Sequence, residues 1–256
     1  MKIAMIHNPL VLRGGAERQI LMLAIELQKL GHEVEIFTPS MDEEKCYPNL
    51  LKKVAINVVP DPSFFFKPPT FMRCPIILNI GRKIPKGFDI INNHNVPTEW
   101  AAFLAKKRLK IPVVWMCNEP PDWFYHPEPR KGRRMHVVWA LYREFDKIAV
   151  RHIDEIVVLS HMARSLIEKA YNRSPRIIRS GLDIESFHGA SGREIRKKYS
   201  LGRDFVLLQV GSFVHYKRQT DSIKTLSYLS EKYDDVKLVL DGVGQDITML
   251  RHISER

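Results

Sequence analysis

Several features are scarce in this chain of 256 residues, and each scarcity narrows what the protein can be. Its three cysteines, Cys46, Cys74 and Cys117, are odd in number and far apart. That spacing argues against a disulfide framework or a Cys-based zinc site and fits a reducing compartment. No apolar run approaches the ~18 residues of a membrane-spanning helix. Met1 and Lys2 lead straight into the apolar run Ile3 to Ile6, a short strand rather than a targeting segment. The ten histidines include no H-E-x-x-H or comparable ligand spacing, so no metal site is expected. There is no internal repeat of fixed short period. Acidic residues are also in deficit, 29 against 40 lysines and arginines, for a net charge of +11.

That excess favours anionic partners such as phosphorylated substrates, nucleic acid or anionic lipid. It gathers at Lys106, Lys107, Arg108 and Lys110, at Arg130, Lys131, Arg133 and Arg134, and at Arg193, Arg196, Lys197 and Lys198. Each run also reads as a solvated helix face. Nucleic acid is not expected, because no recognition-helix, zinc or aromatic RNA-binding signature accompanies the charge.

The hydrophobic pattern alternates strand and helix. Lys2 to His7 is an apolar strand of the doubly buried, parallel kind, and Gly14 and Gly15 open a helix over Ala16–Leu30 that stops at Gly31. Glu33–Thr38 completes a right-handed β-α-β unit. Further strands are predicted at Val54–Val59, Phe88–Asn92, Pro112–Met116, Asp154–Leu159 and Arg176–Arg179. Helices are predicted at Pro97–Lys110 and Arg133–His152, with another capped by Ser160 and reaching Tyr171. Asp61–Pro75 reads as an irregular loop followed by a short helix, and the proline-rich stretch Asn118–Arg130 as a long functional loop.

A second β-α-β start follows. Strand Phe205–Val210 runs through a Gly-Ser turn to Lys217 and Arg218, then a helix, then strand Val236–Asp241 and the turn Gly242 to Gly244. The fold expected is therefore α/β. A Rossmann-like parallel-sheet domain spans residues 1–185 and a polar linker 186–203. Residues 204–256 open a second, truncated Rossmann-like domain, too short to bury both faces of its sheet.

Chemistry is expected at the carboxyl ends of the strands, where such sheets bind ligands. Gly14 and Gly15 let backbone approach a bound group at a helix N-terminus, a site for phosphate or diphosphate. The pair reads equally as a tight turn without a ligand, and the dinucleotide fingerprint G-x-G-x-x-G is absent. Lys217, with Arg218 beside it, is placed to neutralise a diphosphate. Gly242 to Gly244 is either a second ligand contact or a plain turn. His94, just past its strand, and Asn118 with Glu119, just past theirs, share the rim of Gly14 and suggest a pocket for a sugar or its acceptor. Taken singly, His94 reads as a loop anchor and Glu119 as an exposed loop acid.

Five motifs in order carry a resemblance over nearly the whole chain. They are Gly14-Gly15-Ala16-Glu17, Asn118-Glu119-Pro120-Pro121, Val157-Val158-Leu159-Ser160, Ser180-Gly181-Leu182-Asp183, and Gly211 to Lys217. The chain resembles the retaining glycosyltransferases of the GT-B fold, family 4. The resemblance implies two Rossmann-like domains facing each other across a cleft, the first holding the acceptor and the second a nucleotide diphosphate sugar. It implies transfer of a hexose with retention, with no metal and no cofactor beyond the sugar donor. Gly14, Gly15, Lys217 and Arg218 would face the donor diphosphate, Asn118 and Glu119 would be catalytic, and His94 and Glu17 would line the acceptor and sugar pocket.

The chain departs from the family pattern at Ser212, where an arginine is usual, and at Asn118, where many relatives have histidine. The family's acidic motif and base pocket belong further along the second domain than Arg256. Residues 1–256 alone are accordingly expected to transfer little sugar. The alternative is a non-catalytic subunit, or half of a split enzyme, completed by a partner chain. The acceptor is expected to be a glycan or a lipid-linked glycan, and the location cytoplasmic. Peripheral contact with an anionic membrane is expected through Phe64, Phe65, Phe66 and Lys67 beside Phe71, Met72 and Arg73. Those phenylalanines otherwise pack beneath their own loop.

Overall fold

A computed structural model describes residues 1–60, 70–125 and 133–254, without the side chains of 70–76, 122 and 133–135. The chain divides into two compact units, Met1–Gly181 and Leu182–Arg256.

Unit one alternates strand and helix: β1 (Lys2–Ile6), α1 (Gly15–Lys29), β2 (Glu33–Thr38), α2 (Pro48–Leu51), β3 (Ala55–Val58), α3 (Thr70–Lys83), β4 (Ile90–His94), α4 (Thr98–Leu109), β5 (Val113–Met116), α5 (Asp122–Tyr125), α6 (Arg133–Arg151), β6 (Glu155–Val158), α7 (His161–Tyr171) and β7 (Arg176–Ile177). The seven strands form one sheet in the order β3-β2-β1-β4-β5-β6-β7, parallel throughout. This is the Rossmann-like α/β fold expected from the alternating pattern. Successive strand residues face opposite sides, so each strand feeds two cores. Ile3 and Met5 join Ile20, Leu21, Ala24, Val34 and Ile36 beneath α1. Ala4 and Ile6 join Ile91, Val113, Trp115, Ile156 and Val158 beneath α3, α4 and α6. Both faces are covered, which is why the strands read as continuous apolar runs rather than alternating ones.

Local sequence fixes the helix ends. Gly31 has φ +84°, a left-handed stop that suits glycine. Ser160 Oγ accepts from the Ala163 backbone N–H at 3.1 Å and caps α7. Gly81 lies where α3 meets α4, and a Cβ there would overlap the Ala101 carbonyl. Only glycine lets the two backbones come so close.

Three expectations need correcting. The loop predicted over Asp61–Pro75 gives way to α3 at Thr70, so Pro75 lies within a helix. Asn118–Arg130 contains the short helix α5. Arg108, read as part of a solvated basic run, donates to the carbonyls of Gly81 at 3.2 Å and of Ile84, and so ties α4 to the end of α3.

Unit two contains a 3-10 turn at Glu185–Phe187, α8 (Arg193–Lys198), β8 (Phe205–Val210), a 3-10 turn at His215–Lys217, α9 (Gln219–Ser230), β9 (Val236–Asp241) and α10 (Ile247–Ser254). Strands β8 and β9 pair in parallel. Residues 186–203, expected as a linker, thus carry helix α8 and the buried Leu201.

Candidate active site

In unit one the strand order reverses direction between β1 and β4. The carboxyl ends at such a reversal are where parallel sheets of this kind bind ligands. Four polar side chains from four segments meet there. Asn118, just past β5, donates from Nδ2 to Asn95 Oδ1 at 2.7 Å and to Gln19 Oε1 at 2.9 Å. Gln19, in α1, donates onward to Ser180 Oγ at 2.7 Å. Asn95, just past β4, holds a left-handed φ of 61°, which asparagine tolerates. Both protons of the Asn118 amide are thus used, while its Oδ1 is buried without a partner. The network thus leaves one acceptor unpaired just beneath the rim, of the kind that suits a hydroxyl donor.

Sequence reasoning found Asn118 here but missed Gln19, a helix residue like many others, and left Asn95 without a role. Ser180 was noted only within a motif. The signal that could have found them is topological, since all four sit at strand or helix ends on one edge of the sheet.

The other expected residues fall in different places. His94 does not line an open rim. It is the last residue of β4, fully buried, with Nε2 donating to Asn92 Oδ1 at 2.9 Å. Its ring stands 6.4 Å from that of His7, itself buried, whose Nδ1 donates to the Asn8 carbonyl at 2.9 Å. Burial lowers His94 to about 3, with the His7 charge adding to the effect, and lowers His7 to about 4. Both are therefore neutral at neutral pH. Gly14 and Gly15 do open α1, but the Glu17 carboxylate folds back over Gly14, where a Cβ would overlap Glu17 Oε2. Burial raises the Glu17 carboxyl above its usual range, its own backbone N–H partly offsetting. The positive end of α1 thus already faces an internal carboxyl group, and a diphosphate would have to displace it. Glu119 is exposed, and its carbonyl accepts from the buried Cys117 thiol at 3.2 Å.

In unit two, Lys217 closes the 3-10 turn after β8, with Nζ 5.4 Å from the centre of the Tyr216 ring. Arg218 takes φ 59° and spends its guanidinium on Asp221, Nε to Oδ2 at 2.7 Å. A Cβ at Gly242 would overlap the Gly211 carbonyl, and one at Gly244 would overlap the Phe213 backbone. These glycines serve the close approach of two loops, whatever else they contact.

Among the described residues no three His, Cys, Asp or Glu side chains converge to hold a metal ion. Among them, too, no helix is long and apolar enough to cross a membrane. Phe64, Phe65, Phe66 and Lys67 lie outside the described residues, as do the side chains of Phe71, Met72 and Arg73.

Residues 13–186 match Glycosyltransferase Family 4. The chain is 29% identical over 260 residues to the alpha-1,3/1,6-mannosyltransferase alg2 of Schizosaccharomyces pombe, covering 96% of this chain and 50% of that protein. It is 24% identical over 270 residues to ALG2 of Yarrowia lipolytica, covering 99% of this chain and 57% of that protein. The chain spans about half the length of the curated relatives it matches. Among solved structures, Anabaena Alr3699/HepE in complex with UDP and glucose superposes with a TM-score of 0.71 at 13% identity, over 100% of this chain and 65% of that one. WaaG, a glycosyltransferase involved in lipopolysaccharide biosynthesis, superposes with a TM-score of 0.68 at 20% identity, over 99% of this chain and 66% of that one.

Proposed function

Because the chain belongs to glycosyltransferase family 4, we propose that it supplies the acceptor-binding domain, and the opening of the donor-binding domain, of an enzyme that transfers a hexose with retention. The donor is a nucleotide diphosphate sugar and the acceptor a glycan or lipid-linked glycan. Mannose is the first sugar to test, since the curated relatives cited above carry the name mannosyltransferase. The observation that carries this reading is the rim network of Asn95, Asn118, Gln19 and Ser180, with the bare Asn118 Oδ1 at the carboxyl edge of the sheet.

The chemical burden of such a transfer is the negative charge that develops on the departing diphosphate. Fixed donors and cations aimed at it lower the barrier without reorganising as the bond breaks. Lys217 is the cation assigned to that task. Arg218 joins it on release from Asp221, and the N–H groups at Gly14 and Gly15 join it when Glu17 swings aside. Asn118 accepts from a hydroxyl of the acceptor glycan, orienting it toward the bond that breaks. Glu119, exposed beside it, contacts the incoming acceptor. In this proposal neither a metal nor any cofactor beyond the sugar donor takes part. The enzyme works in the cytoplasm, in peripheral contact with anionic membrane through the aromatic and basic segment beginning at Phe64.

The test is a transfer assay on the enzyme containing this chain, with a panel of nucleotide diphosphate sugars and a mannose-terminated acceptor. The linkage formed is read by NMR. Transfer with the donor's anomeric configuration kept supports the proposal, and an inverted linkage overturns it. Salt-sensitive sedimentation with anionic liposomes tests the membrane contact, and protein left in the supernatant at low salt refutes it.

A further inference from the structure

Beneath the rim lies a buried polar hub that the transfer chemistry does not use. Asp146, in the C-terminal half of α6, is buried. Its carboxylate accepts three hydrogen bonds, each from a different element. Trp100 Nε1 of α4 donates to Oδ1 at 2.9 Å. Trp123 Nε1 of α5 and the Tyr171 hydroxyl of α7 each donate to Oδ2 at 2.7 Å. All three donors are neutral, so the carboxylate is held by convergent dipoles rather than by a cation. Glu99, in the first turn of α4, is fully buried, and the Asp146 carboxyl beside it, through its charge and a side-chain hydrogen bond, favours the protonated form. Two buried carboxyl groups so placed cannot both be charged. Three donors already occupy the Asp146 oxygens, so the proton of the pair resides on Glu99.

The three bonds are not equivalent. Trp100 sits in a helix of 12 residues and Tyr171 in one of 11, but Trp123 sits in a helix of four. A four-residue helix has too few internal hydrogen bonds to hold its own place. Trp123 is buried, its ring packing at 5.5 Å on Tyr171 with Lys147 Nζ 5.5 Å away over its face. The segment it anchors begins at Cys117, whose thiol holds the Glu119 carbonyl from below. Between Cys117 and Trp123 run Asn118, Glu119, Pro120, Pro121 and Asp122.

We propose that Asp146 is a positioning residue for the rim site, fixing the segment 118–125 through Trp123 and so holding Asn118 and Glu119 at the acceptor. Glu99 keeps that anchor intact by remaining neutral beside it. This rests on reading the Asn118 rim as part of the transfer site.

The test variant is Trp123→Phe, which keeps a ring and removes the donor. Amide hydrogen exchange is measured on the full chain. The amides of 117–125 are expected to exchange at least tenfold faster than in wild type, with β1, β4 and α4 unchanged. In the enzyme containing this chain, the same variant is expected to raise acceptor KM at least fivefold and leave donor KM alone. A role confined to stability would instead lower the active fraction at unchanged KM. Asp146→Asn is a second variant, and if it does not fold, Trp123→Phe decides alone. Unchanged exchange in 117–125 overturns the proposal. Faster exchange with unchanged acceptor KM overturns it too. Asn118→Ala then separates the two readings: a raised acceptor KM leaves the rim standing without Asp146, and an unchanged one removes the rim itself.

Discussion

Glu99→Gln should stabilise the first unit, and by an amount that grows with pH. Burial is the first cause and the neighbouring Asp146 charge the second, and together they hold the Glu99 carboxyl well above its ordinary value of 4.5. In the unfolded chain it ionises near that ordinary value. Between the two, the native state holds a proton that the unfolded state has lost, so stability falls as pH rises, by about 1.4 kcal/mol per pH unit. Below the ordinary value both states are protonated and no penalty exists. Above the raised value the penalty levels off. Glutamine has nearly the same shape and no proton to lose, so in the variant this slope vanishes, and subtracting the two proteins cancels every other titrating group that is not coupled to Glu99. The assay is urea unfolding at unit pH steps from mildly acid to neutral. All four tryptophans, Trp100, Trp115, Trp123 and Trp139, lie in the first unit, so their fluorescence reports on it alone. The variant's advantage should widen at each step by up to about 1.4 kcal/mol. A difference that stays constant with pH would mean that Glu99 is ionised in the native state, and the argument for the hub would fail.

Three further substitutions probe other parts of the structure. Gly81→Ala drives a methyl into the Ala101 carbonyl and should cost about 1–3 kcal/mol of unit-one stability, so an unchanged melting temperature would contradict the close contact of α3 and α4. Ser160→Ala removes the α7 cap and should cost about 0.5–2 kcal/mol, and an equilibrium unfolding curve matching wild type would show that the cap carries no weight. Lys217→Ala, in the enzyme containing this chain, should lose about 2–4 kcal/mol of transition-state stabilisation. A kcat unchanged at saturating donor would remove Lys217 from the diphosphate.

The elements that were legible in sequence are those whose signal is local. The run Lys2 to Ile6, the stripe of Ile20 and Ala24 on α1 and the stop at Gly31 each announce themselves within a few residues, and the parallel sheet follows from their alternation. The hub was invisible because its signal is tertiary. Asp146 on α6 resembles any acid on the polar face of an amphipathic helix, and Glu99 resembles a first-turn acid facing the helix dipole. Only the packing of α4, α5 and α7 around α6 shows that both are buried. Arg108 was misread for the same reason, since a basic run does not reveal which of its members reaches a neighbouring carbonyl. His94 was placed one step too far along because β4 continues through Asn92, Asn93 and His94, residues of low strand propensity that neighbouring β1 and β5 hold in register. The polar composition of 186–203 likewise concealed α8.

The most direct test of the central claim is whether the rim of the first unit binds an acceptor glycan through Asn118. Calorimetric titration of a soluble mannose-terminated glycan into this chain, wild type and Asn118→Ala, measures that without requiring transfer. Saturable one-to-one binding by wild type, weakened at least tenfold in the variant, is the expected result. No binding by wild type, or equal binding by both proteins, would contradict the assignment of the acceptor site to the carboxyl edge of this sheet.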